Sequence, residues 1–159
     1  MNSISRGLRA GILALALFAV GAIHSTSLDA QETATADVGQ GRAVLITGAS
    51  SGIGLKTAEV LAANGFFVYA GARKQADLDM LNVIDNVEAV RLDVNVQEDI
   101  DAAVEQVTAG GRGLYALINN AGVVLLAPLV EVTEEDLAFQ MNVNVYGPYR
   151  VTKAFAPLL

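Results

Sequence analysis

The chain has no cysteine and only one histidine, His24. Without cysteine there are no disulfides and no thiolate metal sites, and the redox compartment stays undetermined. His24 lies in the N-terminal segment, so histidine catalysis and zinc binding by the remainder are excluded, and no metal site is expected. Positive charge is scarce: Lys+Arg number 10 against 17 Asp+Glu, for a net charge of −7. No basic stripe is present, which argues against a nucleic-acid partner. Repeats and low-complexity segments are missing from residue 42 onward.

What is present is apolar. Hydrophobic residues make up 53% of 159 positions, above the ~45–50% usual for globular chains. This length suffices for one domain with a real core. Part of the excess sits at the N-terminus, where Arg6 and Arg9 precede an apolar run from Ala10 to Ile23 and a polar stretch follows from His24 to Gln40. Basic, apolar, polar is the pattern of a signal peptide. The run suits a signal core better than a spanning helix, which needs about 20 residues. Leu28-Asp29-Ala30 offers a small residue for cleavage but no Ala-x-Ala, so an uncleaved anchor competes. Residues 1–30 are read as signal peptide or membrane anchor, 31–41 as linker, and 42–159 as the domain. Charge placement puts the domain across the membrane, in periplasm or lumen. A wrongly assigned start would leave it cytoplasmic.

The most informative residues are Thr47-Gly48-Ala49-Ser50-Ser51-Gly52-Ile53-Gly54. They follow the apolar run Ala43 to Ile46 and precede an amphipathic segment, Leu55 to Asn64. Strand, glycine-rich turn and helix together grip a dinucleotide pyrophosphate. Gly48 permits a tight turn, Gly52 lets the backbone approach phosphates, and Gly54 lets the helix pack on the strand. The phosphates meet unpaired N–H groups at the positive end of the helix dipole. The spacing is G-x-x-x-G-x-G rather than G-x-G-x-x-G, so a generic tight turn competes on the glycines alone.

Downstream, strand and helix alternate. Strands are expected at 43–47, 66–71, 87–92 and 114–118, and helices at 52–64, 75–84, 96–109 and 133–156. Near-continuous apolar strands separated by helices imply a parallel sheet covered on both faces, an α/β Rossmann-like, doubly wound architecture with right-handed crossovers.

The strand ends carry further clues. The acid that grips a ribose 2′-hydroxyl falls about 20 residues after the glycines. Ala72 stands there, with Arg73 and Lys74 beside it. Two cations and no carboxylate suit a 2′-phosphate, hence NADP over NAD, although an ordinary solvated basic turn would look alike. Strand three ends Leu92-Asp93-Val94, and strand four ends Asn119-Asn120-Ala121-Gly122, at the edge where open α/β sheets bind ligands.

These residues resemble the short-chain dehydrogenase/reductase family, in its main single-domain branch, over residues 43–159. The resemblance rests on the Thr47–Gly54 run, the Arg73 turn, Asp93-Val94, Asn119–Gly122 and Asn144-Val145-Tyr146-Gly147. It implies that Gly48, Ser50, Ser51, Gly52, Ile53 and Gly54 surround the pyrophosphate and adenosine ribose. Arg73 would meet the 2′-phosphate, Asp93 and Val94 border the adenine, and Asn120, Ala121 and Gly122 line the ribose side. Asn119 would hold the sheet together. Asn144 would be the catalytic asparagine, its carbonyl holding a water of the proton relay. The local sequence supports that role. Pro148 has no N–H to bond back to the Asn144 carbonyl, Gly147 loosens the turn, and a kink is expected. Helix-surface polarity is the plainer reading of Asn142 and Asn144, and Asn142 is given no role. A soluble nicotinamide cofactor is chiefly intracellular, which stands against export.

The family also needs a serine and a Tyr-x-x-x-Lys pair beyond another strand. Tyr149-Arg150-Val151-Thr152-Lys153 fits the letters but lies on the helix of Asn144, about 140° around it, so it is read as surface or subunit contact. Tyr146, with Arg150 four residues on, is read as packing. The sequence therefore reads as the cofactor-binding half of a longer enzyme. It would leave the 114–118 strand as an unpaired edge, bind cofactor weakly and not turn over. The expected activity is hydride transfer between nicotinamide and a small-molecule alcohol/carbonyl pair, with homo-oligomers in the full protein and membrane contact only through the N-terminus. A non-catalytic nucleotide-binding module ending at Leu159 is the alternative. An isomerase, dehydratase or epimerase on the same fold is a third reading.

Overall fold

The first strand, β1 (Ala43–Ile46), is buried along its whole length. Its side chains alternate between two cores, as strand geometry requires. Val44 and Ile46 face one cluster with Ala58 and Ala62. Ala43 and Leu45 face the other, with Ile100, Val107 and Phe155. The computed structural model describes residues 39–159. The expected signal or anchor at 1–30 and most of the 31–41 linker lie outside the described residues.

Helix α1 (Gly52–Ala63) follows β1. It stops because Gly65 takes a left-handed φ of +85°. Gly65 N–H then donates to the Ala62 carbonyl and Phe66 N–H to the Leu61 carbonyl, the paired closure of a glycine-terminated helix. Next come β2 (Phe67–Ala72), α2 (Gln75–Leu81), β3 (Val87–Arg91) and α3 (Gln97–Ala109), then β4 (Ala116–Ile118). The second helix ends three residues earlier than the sequence suggests. Asn82 turns its side chain to β3, where its Oδ1 accepts the Ala89 N–H at 2.8 Å.

The sheet is parallel with strand order β3-β2-β1-β4. Ile46 pairs with Ala70 on one side and with Ile118 on the other, which brings the carboxyl ends of three strands level. α1 and α2 pack on one face, and α3 with the last helix on the other. This is the doubly wound, Rossmann-like α/β arrangement. The fourth strand starts at Ala116 rather than 114 because the Leu114 N–H is taken by the Leu158 carbonyl at 2.7 Å.

The expected helix 133–156 is built in three pieces. α4 (Glu134–Met141) is capped by Thr133, whose hydroxyl accepts the Asp136 N–H. A π turn spans Asn142–Tyr146, closed by Gly147 N–H donating to the Asn142 carbonyl five residues back. α5 (Gly147–Phe155) continues from it. Pro148, lacking an N–H, falls where the α-helical bond to Asn144 would be, and one wider turn absorbs the gap. Gly147 is needed for space, not for looseness. Its φ is an ordinary −56°, but a Cβ there would lie 2.7 Å from Val94 Cγ2.

Candidate functional site

The carboxyl ends of the four strands open into a cleft of about 500 Å³, where open α/β sheets bind ligands. The turn after β1 supplies Gly48, Ser50, Ser51, Ile53 and Gly54. The segment after β2 supplies Arg73, Lys74 and Asp77, and that after β3 supplies Leu92, Val94 and Asn95. The chain after β4 supplies Asn120, Ala121, Gly122 and Val123. Gly52, Asp93 and Asn144 reach the cleft only through neighbours.

The glycine-rich turn is held by close backbone approaches. Gly48 has φ +65°, and a Cβ there would lie 2.8 Å from Ala121 Cα. A Cβ on Gly54 would overlap the Gly48 carbonyl and the Asn120 amide nitrogen. Gly52 differs, with φ +56° and open space above it. The start of α1 is left available for an anion. Ser51 makes no side-chain cap and the first turn holds no acid, whereas α2, α3 and α4 each carry acids there.

Thr47 joins the turn to the end of β4. Its hydroxyl, in a residue only 1% exposed, accepts the N–H groups of Asn120 and Ala121, both at 3.0 Å. The Asn120 amide in turn donates to the Thr47 and Gly48 carbonyls. Asn120 thus ties β4 to β1 while bordering the cleft. Asn119, expected to hold the sheet, instead donates to the Thr152 hydroxyl on α5. The two asparagines stand just past the end of β4 and turn different ways, Asn120 to β1 and Asn119 to α5.

Asn144 braces the wall after β4. Its Oδ1 accepts the Val123 N–H at 2.8 Å, and its Nδ2 donates to the Val123 carbonyl at 2.7 Å. One helical turn earlier, Gln140 accepts the Leu125 N–H. Asn142 accepts from Arg150.

The charge at the far end of the cleft differs from its sequence reading. Arg73 Nη1 lies 3.8 Å from Asp93 Oδ2, and Asp77 borders the same space as Lys74. The Arg73-Lys74 pair has no carboxylate directly beside it in sequence, but the first turn of α2 brings Asp77 to the same space and the segment after β3 brings Asp93. Asn95 Oδ1 is buried without a protein partner and belongs to a residue lining the cleft. Tyr149 and Lys153 lie elsewhere. Tyr149 is 61% exposed, with the Lys153 ammonium 5.8 Å from its ring centre.

A sequence profile described as short chain dehydrogenase matches residues 42–159. The chain belongs to the short-chain dehydrogenase family. Its relatives in this family are oxidoreductases. It is 35% identical over 138 residues to the mitochondrial D-beta-hydroxybutyrate dehydrogenase of Rattus norvegicus, covering 80% of this chain and 40% of that protein. Among solved structures it resembles a gluconate 5-dehydrogenase from Burkholderia cenocepacia in complex with NADP and tartrate. There the TM-score is 0.69 and the identity 29%, over 74% of this chain and 48% of the other. The L-sorbose reductase of Gluconobacter frateurii, complexed with NADPH and L-sorbose, gives a TM-score of 0.70 and 31% identity over 76% and 48%. The chain spans less than half the length of these relatives.

Within this family member, most of the sequence-predicted positions line one cleft, and Gly52, Asp93 and Asn144 stand behind its lining. Thr47, Asp77, Asn95 and Val143 were not singled out as site residues. Thr47 is signalled only by being a polar residue at a buried strand end. Asp77 stands only three residues after Lys74, on the first turn of α2, whereas Val143 comes close through the fold and no local pattern marks it.

Proposed function

We propose that residues 42–159 form the NADP-binding portion of an oxidoreductase that moves hydride between nicotinamide and an alcohol/carbonyl substrate. The observation that carries this reading is the uncapped, acid-free start of α1 facing the same cleft as Arg73. The residues present fit such a cofactor. Open space over Gly52 leaves room for phosphates against backbone N–H groups. The partnerless Asn95 oxygen offers an acceptor to a nucleobase amine. Arg73 and Lys74 supply cations for a 2′-phosphate, while Ala121 and Gly122 leave space on the ribose side.

When bound, the nicotinamide supplies or accepts the hydride. The chain's own residues bind and orient, with Asn144 fixing the Val123 wall through two hydrogen bonds. The proposed role of the Asn144 carbonyl, holding a water of the proton relay, is supported by the π turn around it.

A second reading, a nucleotide-binding module without turnover, is favoured by the exposed position of Tyr149 and Lys153 outside the cleft. Export or anchoring through the N-terminal segment, and homo-oligomers of the full protein, remain part of the proposal. NADPH and NADH titrations followed by nicotinamide fluorescence test the central claim. Tighter NADPH binding, weakened by Arg73→Gln, is expected. Binding of neither nucleotide, or an NADPH affinity indifferent to Arg73, overturns it. Carbonyl reduction by this chain would remove the second reading.

A further inference from the structure

Arg73 is not a lone cation waiting for a phosphate. Its guanidinium is long-stemmed and 64% exposed, and its neighbour Asp93 is 25% exposed at 3.8 Å. The two partners differ in freedom. Asp93 is fixed: its Oδ1 accepts the Asn95 N–H at 2.9 Å, and its own N–H donates to Asp99 Oδ2 at 3.1 Å. Asp99 is in turn within 3.9 Å of Arg91. Among the described residues no other group holds the Arg73 guanidinium. Together Arg73, Lys74, Asp77 and Asp93 sum to no formal charge at this end of the cleft.

Resting on the NADP reading above, we infer that Asp93 tempers the preference for NADP by acting as a fixed counter-ion to Arg73. A 2′-phosphate has to share Arg73 with Asp93, which limits what the phosphate gains. A 2′-hydroxyl leaves the Arg73–Asp93 pair intact, so NAD is not opposed by an unpaired cation. Asp93 therefore narrows the discrimination between the two cofactors, and Arg73 alone does not decide it.

The test compares adenosine 2′,5′-bisphosphate with 5′-AMP, titrated calorimetrically onto the 159-residue chain at low ionic strength, where exposed ion pairs are least screened. Each variant carries its own reference in the ratio of the two affinities. Asp93→Asn keeps an acceptor for the Asn95 N–H and removes the charge. Asp93→Ser does the same through a hydroxyl and serves if the amide variant does not fold. Removal of the charge is expected to raise the preference for the bisphosphate about threefold, the range of an exposed ion pair. In an Arg73→Gln background the same substitution should leave the ratio unchanged. An unaltered ratio in the Arg73 protein overturns the inference while leaving the NADP reading intact. An equal rise in both backgrounds also overturns it, because the effect would then be simple repulsion between Asp93 and the phosphate. Failure of the unsubstituted chain to bind either nucleotide overturns the NADP reading and this inference with it.

Discussion

Asn120 is bound to Thr47 twice: its backbone N–H reaches the threonine hydroxyl and its side-chain amide reaches the threonine carbonyl, each at 3.0 Å. Two strands adjacent in space and far apart in sequence are thereby fixed at the floor of the cleft. Thr47→Val keeps the shape but removes the acceptor of two N–H groups. Leaving both unsatisfied should cost about 2–4 kcal/mol, read as a lower urea midpoint. Thr47→Ser should retain most of the stability. Equal midpoints for valine and serine would contradict this account.

The glycines of the turn should separate folding from binding. Gly54→Ala forces a methyl into the Gly48 carbonyl and the Asn120 amide, and should destabilise by about 2 kcal/mol or more. Gly52→Ala meets nothing within 4 Å and should cost only about 1 kcal/mol for its left-handed φ. Its methyl nevertheless enters the space assigned to phosphates, so NADPH affinity should fall about tenfold or more while the circular dichroism spectrum is kept.

Gly147→Ala tests the packing of the π turn. The new Cβ would lie 2.7 Å from Val94 Cγ2, and relief should require movement costing about 1–3 kcal/mol. Adding Val94→Ala should restore part of that loss in thermal denaturation. Additive losses in the double variant would show that the two residues do not meet.

Tyr69 provides a pH prediction. It is fully buried and its hydroxyl has no partner. Its pKa is raised from 10.0, first by burial and then by Glu88, with Arg112 opposing. Above pH 10 the unfolded chain would lose the Tyr69 proton more readily than the folded one. Stability contributed by the neutral phenol is therefore present below that pH and declines as pH rises. Tyr69→Phe removes an unsatisfied hydroxyl and should be neutral or stabilising by about 1 kcal/mol at pH 7. Denaturation at pH 8 and pH 11 should show a smaller alkaline loss for phenylalanine than for tyrosine.

The order of strands and helices was legible because the two hydrophobic periods are clean along this chain. The runs at Ala43–Ile46 and Phe67–Ala72 hold few polar residues, and their flanking glycines mark the turns. Strand ends were less legible where distant atoms decide them, as when the Leu158 carbonyl takes the Leu114 N–H. Pro148 announced a break in the last helix, but the width of the π turn depends on how it packs. At the site, the glycine turn and Arg73 are local features and were visible. The carboxylate beside Arg73 was not, because Asp93 arrives from the next strand and pairing of that kind follows from topology. The sheet-tying role expected of Asn119 falls to Asn120, which also borders the cleft as expected; sequence places the two side by side, and only the fold turns one to β1 and the other to α5.

The brace between Asn144 and Val123 has a mechanical consequence. A carboxamide carries the same donor and acceptor as a peptide group, so at Val123, past the end of β4, the chain pairs with a helix side chain as it would with a strand. Gln140 repeats the contact at Leu125, two residues along the chain and one turn along the helix. The segment after β4 and the helix are therefore coupled by hydrogen bonds at two points, like a rack engaged by two teeth of a gear. Rolling α4 and the π turn would shift the 123–125 wall along its own length.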